Sequence, residues 1–237
     1  MPSYGGTFSF AFQPIVDAVD RSCVSFEALI RGVRGEPAGQ VLGAVAAEDL
    51  YRFDAQARAV AVAMAADLGL QCQLNLNYMP RGLQMSGAST DEGLLAAARC
   101  GIDPTRIVME VTESEMVDDA VAFVRAIDEY RALGVKVAID DFGAGYAGLN
   151  LLADFQPDLI KIDMNLVRGI RSRGPRQAIV RAIIQACGDL GIDVVAEGVE
   201  SLDEYGWFRE EGVRLFQGYL FARPGFQFLP VVNYPAW

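Results

Sequence analysis

Polar and charged side chains recur where short apolar runs of the sequence end. Five of them are carboxylates, two are amides and one is an amine. They are Glu27, Asn75, Glu110, Asp140, Asp141, Lys161, Glu197 and Gln217. Carboxylates that gather at one place repel one another unless cations neutralise them. Two divalent ions held by such groups can clamp the attacking and leaving oxygens of a phosphoryl transfer. The set therefore predicts a two-metal site if the fold brings these residues together.

The apolar runs that precede these residues are predicted to be strands. Eight such runs lie at residues 8–14, 23–31, 71–77, 106–111, 135–140, 158–163, 193–197 and 215–220. Helices are predicted at 53–68, at 118–133 and between Pro175 and Gly191, where proline begins and glycine ends the pattern. This alternation favours a mostly parallel sheet. Eight strands in 237 residues are typical of an α/β fold of the TIM-type (β/α)8 barrel class.

An open, doubly wound sheet is the alternative architecture for this order of elements. The first two predicted strands are separated only by a turn at 17–21, so we expect the barrel to begin with a hairpin and an irregular, antiparallel first strand. No long linker or low-complexity tract interrupts the sequence, which predicts one domain over residues 1–237. The carboxyl ends of barrel strands converge on one mouth, and the polar residues would meet there.

The alternation of side chains along each predicted strand supports this arrangement. Side chains two residues apart share a strand face. Asn75 therefore lies on the face opposite Leu74 and Leu76, and Lys161 lies on the face opposite Ile160. We expect the polar faces to look into the barrel and the aliphatic faces to pack on the helices.

The composition restricts the metals and the partners. The sequence has no histidine, which removes the commonest protein ligand of zinc, copper and iron. A metal site must then use oxygen ligands, which magnesium, manganese and calcium prefer. The net charge of −11 argues against binding to duplex nucleic acid. A small anionic ligand is compatible with this charge if metals supply local positive charge.

The sequence also bears on location and on cysteine chemistry. No apolar run approaches the roughly 18 residues of a membrane span, and the first residues lack a charged segment followed by an apolar one. We therefore expect a cytoplasmic protein without a membrane segment. The four cysteines at positions 23, 72, 100 and 187 are widely spaced and form no CxxC motif. We interpret them as small buried apolar side chains.

Each acidic residue taken alone has an ordinary explanation. Glu27 could be a solvated carboxylate at a strand end that pairs with Arg31. Asp140 and Asp141 could begin a turn that caps a following helix. Lys161 is harder to explain in this way, because a lysine that faces a barrel interior is rarely only structural. We favour a shared site, since separate explanations need a coincidence at every strand end.

Eight stretches of the sequence, in order, resemble motifs of the EAL family of cyclic-di-GMP phosphodiesterases. The tripeptide that names the family is present as Glu27-Ala28-Leu29. The other similar stretches are residues 12–17, 74–77, 110–113, 140–146, 161–163, 197–200 and 217–224. Two departures from the family pattern are Gly32, where tryptophan is frequent, and Ala147 with Gly148, where serines are frequent. Neither departure removes a candidate ligand.

The resemblance implies a role for each residue in the hydrolysis of cyclic-di-GMP to linear pGpG. The implied metal ligands are Glu27, Asn75, Glu110 and Asp140 for one ion, and Asp140, Asp141 and Glu197 for the second. The implied catalytic residues are Glu27, Lys161, Asp141 and Gln217, and the implied substrate contacts are Gln13, Leu29 and Arg31. Lys161 would contact the metal-bound water, Arg31 would contact a phosphate, and Glu113 would brace the loop at 141–148.

The resemblance further implies two Mg²⁺ or Mn²⁺ ions, and we expect Ca²⁺ to inhibit because it is larger and looser in its geometry. It implies a barrel that is often a homodimer, with any sensor domain or partner protein outside this sequence. Two other functions stay open. One is an EAL module that binds cyclic-di-GMP or a partner without hydrolysis, and the other is an unrelated metal-dependent barrel enzyme acting on carbon acids. The presence of all the ligands and the lysine favours catalysis.

Overall fold

The computed structural model describes residues 8–79, 88–112, 120–145, 152–153 and 155–235. Within them the strands are β1 (Phe8–Asp17), β2 (Ser22–Gly32), β3 (Gln73–Asn77), β4 (Ile107–Thr112), β5 (Lys136–Phe142), β6 (Leu159–Ile162), β7 (Asp193–Ala196), β8 (Leu215–Gln217) and β9 (Gly225–Phe226). The helices of four or more residues are α1 (Ala38–Gly43), α2 (Leu50–Asp67), α3 (Glu92–Arg99), α4 (Ala120–Ala132), α5 (Met164–Val167), α6 (Gly174–Leu190) and α7 (Leu202–Glu210). The eight predicted strands are all present, with bounds that differ by a few residues at their ends.

The strands form a closed barrel. β2 to β8 are consecutive parallel neighbours, and β1 completes the circle by pairing antiparallel with both β2 and β8. The register sets Gln13 opposite Glu27 on one side of β1, and Ile15 opposite Gln217 on the other. The TIM-type barrel and its antiparallel first strand are thereby confirmed, and the open sheet was the wrong alternative. The short strand β9 adds to β1 near Ala11.

The helix ends follow the local sequence signals. In α6, Pro175 lies in the first turn, and Gly191 ends the helix in a left-handed conformation with φ of 72°. In α7, Ser201 and Glu204 form a reciprocal capping box. The helix predicted at 53–68 begins slightly earlier, and the one predicted at 118–133 is present as α4. These short-range signals determine where the helices begin and end.

Two apolar cores lie on the two faces of the strands. The larger core separates the barrel from its helices and includes Leu74, Leu76, Ile160 and Ile162. The smaller core fills the floor of the barrel and consists of Ile15, Val108, Ala138, Leu159 and Val195, with Val24 and Leu215 packed against it. The aliphatic faces of the strands therefore pack towards the helices, as predicted. The inner apolar layer supports the polar layer above it.

Among the helices of the described residues, none combines the length and the apolar character that crossing a membrane requires.

Candidate active site

Lys161 lies at the centre of a group of carboxylates inside the barrel. Its side chain is fully buried on β6. Its Nζ lies 3.0 Å from an oxygen of Glu27, 3.3 Å from Glu110, 2.9 Å from Asp140 and 3.4 Å from Glu197. These partners come from β2, β4, β5 and the end of β7. The barrel therefore brings together carboxylates that are separated by up to 170 residues (197 minus 27) in the sequence.

Amide side chains hold two of these carboxylates in place. Asn75 Nδ2 donates to Glu110 Oε1 at 2.7 Å, and Gln217 Nε2 donates to Glu27 Oε2 at 2.7 Å. Asn77 Nδ2 donates to the other oxygen of Glu27 at 3.4 Å. Glu27 is only 4% exposed, so it is not the solvated strand-end carboxylate of the ordinary explanation. Each amide leaves its carbonyl oxygen available for another partner.

A β-bulge lets two consecutive aspartates serve the same site. The β5–β6 register passes from Ile139–Ile160 directly to Phe142–Ile162, so Asp140 and Asp141 together oppose the single residue Lys161. Asp141 adopts a left-handed backbone with φ of 53°, which is uncommon for a residue other than glycine. Bulges of this kind redirect side chains next to active sites. Plain strand alternation would have pointed Asp141 away from Asp140.

The charges of the site depend on one another. Burial alone would lower the pKa of the Lys161 amine, but the carboxylates of Asp140, Glu110, Glu197 and Glu27 outweigh this effect and raise it well above its ordinary value. Lys161 is therefore a protonated donor. Burial would likewise raise the pKa of Glu27, but Lys161 and the amide of Gln217 lower it.

Three other carboxyl groups of the site, those of Glu197, Asp141 and Glu110, have raised pKa values and hold protons more tightly than usual. Burial raises the pKa of Glu197 to about 8, despite the opposing effect of Lys161. Burial also raises the pKa of Asp141 to about 6, and the negative charge of Asp140 adds to the shift. Glu110 is shifted well above its ordinary pKa, mainly by burial. The site thus has more acidic groups than one ammonium can compensate, which favours the binding of further cations.

The donor set fits hard divalent metals. Carboxylate oxygens of Glu27, Glu110 and Asp140 lie within 4.8 Å of one another, and so do those of Asp140, Asp141 and Glu197. Asp140 belongs to both groups. Asn75 Oδ1 and Gln217 Oε1 are buried acceptors without a hydrogen-bond partner in the structure. Since buried acceptors are normally satisfied, a cation at this place would account for the Asn75 oxygen as well as for the clustered charge.

A cavity of about 370 Å³ opens beside the carboxylates. Leu29 and Arg31 line it together with Glu27, Asp140 and Asp141. The predicted substrate contact Gln13 is opposite Glu27 in the β1–β2 register but is not among the described residues that line this cavity. Its amide donates to the carbonyl of Ala222 at 3.3 Å. The predicted loop support Glu113 and the departures at 147–148 lie outside the described residues.

Several residues near the site were not singled out by the sequence. Asn77 lies two residues after Asn75 and shares its strand face, and its contact with Glu27 follows from that spacing. Asp163, two residues after Lys161, is buried, and its negative charge contributes to the raised pKa of Asp141. Other polar residues that line the cavity are Asp54, Arg58, Tyr78 and Thr112. The helical pattern around Asp54 and Arg58 contains no signal that would have identified them.

The chain is similar in sequence to named bacterial proteins. The chain is 37% identical over 227 residues to the blue light- and temperature-regulated antirepressor BluF of Escherichia coli. This alignment covers 95% of this chain and 56% of BluF. It is 38% identical over 138 residues to the cyclic di-GMP phosphodiesterase PdeR of Escherichia coli, covering 58% of this chain and 20% of PdeR. The chain thus spans little more than half the length of BluF and a fifth of PdeR.

A solved structure shows the same fold. BlrP1 of Klebsiella pneumoniae in a manganese and cy-diGMP complex superposes with a TM-score of 0.90 and 44% sequence identity, covering 96% of this chain and 58% of that one. The model of the EAL domain family matches residues 4–224. By this match, and by the structural similarity over 96% of its length, the chain belongs to the EAL domain family.

Proposed function

We propose that the protein is a metal-dependent phosphodiesterase that hydrolyses cyclic-di-GMP to linear pGpG. The main support is the group of five carboxylates around Lys161, which falls into two ligand sets that share Asp140. The manganese and cy-diGMP complex of BlrP1 and the activity named for PdeR support the same ligand and chemistry.

The residues are assigned to two divalent cations, Mg²⁺ or Mn²⁺. In this proposal the ligands are Glu27, Asn75, Glu110 and Asp140 for one ion, and Asp140, Asp141 and Glu197 for the other. When bound, such a pair supplies a nucleophile at neutral pH and offsets the charge that develops on the phosphate oxygens. This chemistry suits a chain without histidine, because it needs no imidazole base.

The remaining residues bind, orient and compensate charge. Lys161 is a protonated donor at the centre of the site, so it can orient the attacking water and stabilise negative charge on the reacting phosphate. Gln217 fixes one oxygen of Glu27. Arg31 brings a positive charge to the cavity beside the metals, where a substrate phosphate would lie, and Leu29 supplies an apolar wall. We assign Gln13 to substrate binding and Glu113 to bracing the loop at 141–148 on the sequence resemblance alone.

A second candidate function is binding without hydrolysis. The similarity to BluF, which is named as an antirepressor, favours an EAL module that acts through a partner protein or as a cyclic-di-GMP receptor. The arrangement of Lys161 with its four carboxylates favours catalysis, because binding alone does not need an ammonium among the ligands.

Turnover assays distinguish these functions. We expect purified protein with Mn²⁺ to convert cyclic-di-GMP to pGpG, measured by liquid chromatography, and to stop when EDTA is added. Glu27→Ala should lower the rate by orders of magnitude, while Glu210→Gln, which changes an exposed carboxylate paired with Arg171, should leave it unchanged. Binding of cyclic-di-GMP in the presence of Mn²⁺ without any pGpG would instead support the receptor.

We further propose that residues 1–237 act as one EAL domain in the cytoplasm and as a homodimer. These assignments follow the sequence resemblance, and sedimentation equilibrium at micromolar concentration tests the dimer.

A further inference from the structure

Two cysteines that are 49 positions apart in the sequence (72 minus 23) meet at the amino ends of β2 and β3. The parallel pairing of these strands begins with Ser25 opposite Gln73. Cys23 precedes Ser25 by two residues, and Cys72 immediately precedes Gln73. Paired strands lie about 4.8 Å apart, so the two residues occupy neighbouring positions at the start of these strands.

A second bulge turns both thiols to the same side of the sheet. The β1–β2 register passes from Ile15–Ser25 directly to Val16–Cys23, which leaves Val24 as the extra residue. Val24 packs against the core of the barrel floor. Cys23 and Cys72 both pack against the outer core. Without the bulge, Cys23 would share the inward direction of Ser25 and would not face Cys72.

The thiols are neighbours in the strand register and differ in acidity. Cys23 Sγ donates to the carbonyl of Ser25 at 3.4 Å. The interaction of the two thiols lowers the pKa of Cys72, and the nearby Arg106 guanidinium contributes in the same direction. The same interaction raises the pKa of Cys23. Arg106 is held in place because its Nε and Nη2 donate to the carbonyl of Cys72 at 3.2 and 3.0 Å. Both cysteines are half-buried, so small reagents can reach them.

We propose that Cys23 and Cys72 are a dithiol pair that hydroperoxides oxidise to an intramolecular disulfide. The Cys72 thiolate attacks a peroxide oxygen, the O–O bond breaks, and Cys72 becomes a sulfenic acid while an alcohol or water leaves. Cys23 then attacks the Cys72 sulfur, loses its proton and displaces hydroxide, which leaves as water. In total, two thiols lose two electrons and two protons, and one hydroperoxide is reduced.

The other two cysteines make this assignment selective. Cys187 is buried and Cys100 is exposed. Burial raises the pKa of Cys187 to about 11, which disfavours its reactive thiolate. The interpretation of all four cysteines as buried apolar side chains therefore holds for Cys187 and is wrong for Cys100. Cys23 and Cys72 differ from the other two cysteines because they are neighbours at the start of β2 and β3.

Peptide mapping of the full chain tests the proposal. Dilute protein is treated with hydrogen peroxide in EDTA, the remaining thiols are alkylated, and unreduced peptides are analysed by mass spectrometry. We expect the oxidised protein to have lost two hydrogen atoms. The digest should contain a cross-linked pair of peptides with positions 23 and 72. This cross-linked pair should disappear when a thiol reductant is added. Cys23→Ser and Cys72→Ser should each abolish this cross-link, because the disulfide needs both sulfur atoms, and Cys100→Ser should leave it unchanged.

Circular dichroism shows whether the serine variants fold, and the wild-type map remains decisive if one of them does not. Addition of oxygen at Cys72 with Cys23 still alkylated would overturn the proposal. So would a disulfide that joins two molecules through Cys100. None of these measurements depends on phosphodiesterase turnover.

Discussion

At the scale of single residues, the site is organised by one ammonium group. Lys161 contacts four carboxylates, and its charge is the main compensation for their mutual repulsion in the absence of metal. A buried carboxylate that loses its partner pays a large desolvation cost. The acidic groups that Lys161 does not compensate fully, Glu197, Asp141 and Glu110, respond instead with raised pKa values.

Lys161→Met tests this charge balance. The variant keeps most of the unbranched side chain but leaves the carboxylates without their cation, so we expect metal-free protein to lose about 3–5 kcal/mol of unfolding free energy. Hydrolysis of cyclic-di-GMP should fall about 10²–10⁴-fold. Urea unfolding in EDTA and turnover with Mn²⁺ measure the two effects. Lys136→Met, which changes an exposed lysine on β5, is the matched control. Turnover within about tenfold of wild type would contradict the role given to Lys161.

The raised pKa of Glu197 predicts how stability depends on pH. The folded protein holds this proton up to about pH 8, whereas the unfolded chain releases it near 4.5. The folded state therefore binds more protons between these values, and this contribution to stability is complete below pH 4.5 and lost as pH rises through 8. In Glu197→Gln the decline should be shallower in metal-free denaturation experiments. It should not vanish, because the pKa of Glu110 is raised too. An unchanged slope would contradict the shift.

The residues that the sequence could identify were those whose direction follows from strand alternation. Glu27, Glu110 and Lys161 meet because each lies on the inward face of its strand near the barrel mouth. The partners of each group could not be derived in the same way. The ordinary pairing of Glu27 with Arg31 is local in sequence, whereas its observed partners Lys161 and Gln217 depend on closure of the barrel.

At the scale of secondary-structure elements, irregular strands decide which side chains meet. The bulge in β5 places Asp141 beside Asp140, and the bulge between β1 and β2 places Cys23 beside Cys72. Alternation with a period of two predicts the opposite direction for one member of each pair. A bulge depends on how two strands pair, so neither was visible in a single stretch of sequence.

The end of β8 depends on one glycine. A Cβ on Gly218 would lie 2.0 Å from the carbonyl oxygen of Val199 and 2.4 Å from its nitrogen, both rigid backbone atoms. The two backbone segments are close here because Val199 N donates a hydrogen bond to the carbonyl of Gln217 at 3.0 Å. Moving the strand end would displace the Gln217 amide from Glu27. Gly218 therefore allows the end of β8 to lie close to Val199, and this position sets where the Gln217 amide meets Glu27.

Gly218→Ala should destabilise the protein by about 1–3 kcal/mol and lower turnover more than that loss of folded protein explains. The matched control is Gly188→Ala in α6, where a Cβ meets no atom within 4 Å. This variant should gain about 0.5–1 kcal/mol of unfolding free energy. Guanidinium unfolding and turnover at a temperature where both variants are folded give the comparison. Equal stability and activity of the two alanine variants would show that the strand end adapts freely.

At the scale of the whole molecule, the fold depends on apolar packing and on one buried ammonium group. Apolar cores on both sides of the strands hold the barrel, and Lys161 compensates much of the charge at its mouth. The order of the elements, the number of barrel strands and the hairpin at the start of the barrel were predictable, because they depend on local periodicity and on chain length. The contribution of β9 was not predictable, since a two-residue pairing has no periodicity.

Metal binding should raise the melting temperature without being needed for folding. At free Mn²⁺ of about 100 times Kd the gain is about 2.7 kcal/mol, which corresponds to roughly 5–10 °C for a chain of this size. We expect the far-ultraviolet circular dichroism in EDTA to match that of the metal-loaded protein. Loss of the dichroism signal in EDTA would show that the cations are structural.

Calcium should separate binding from catalysis. It prefers the same oxygen ligands but is larger and looser in geometry, so we expect Ca²⁺ to raise the melting temperature and to inhibit turnover in the presence of Mn²⁺. Full turnover with Ca²⁺ alone would contradict the assignment of closely spaced ligands around Asp140.

The antiparallel first strand has a consequence for synthesis on the ribosome. β1 can pair with β2 as soon as that hairpin has emerged, but its other edge has no partner until β8 is made near the end of the barrel. An unpaired strand edge invites pairing with other chains, and closure over such a long stretch is slow. Nascent chains that stop before Leu215 should therefore aggregate or recruit chaperones, and the yield of the protein should depend on how fast the last part of the barrel is translated.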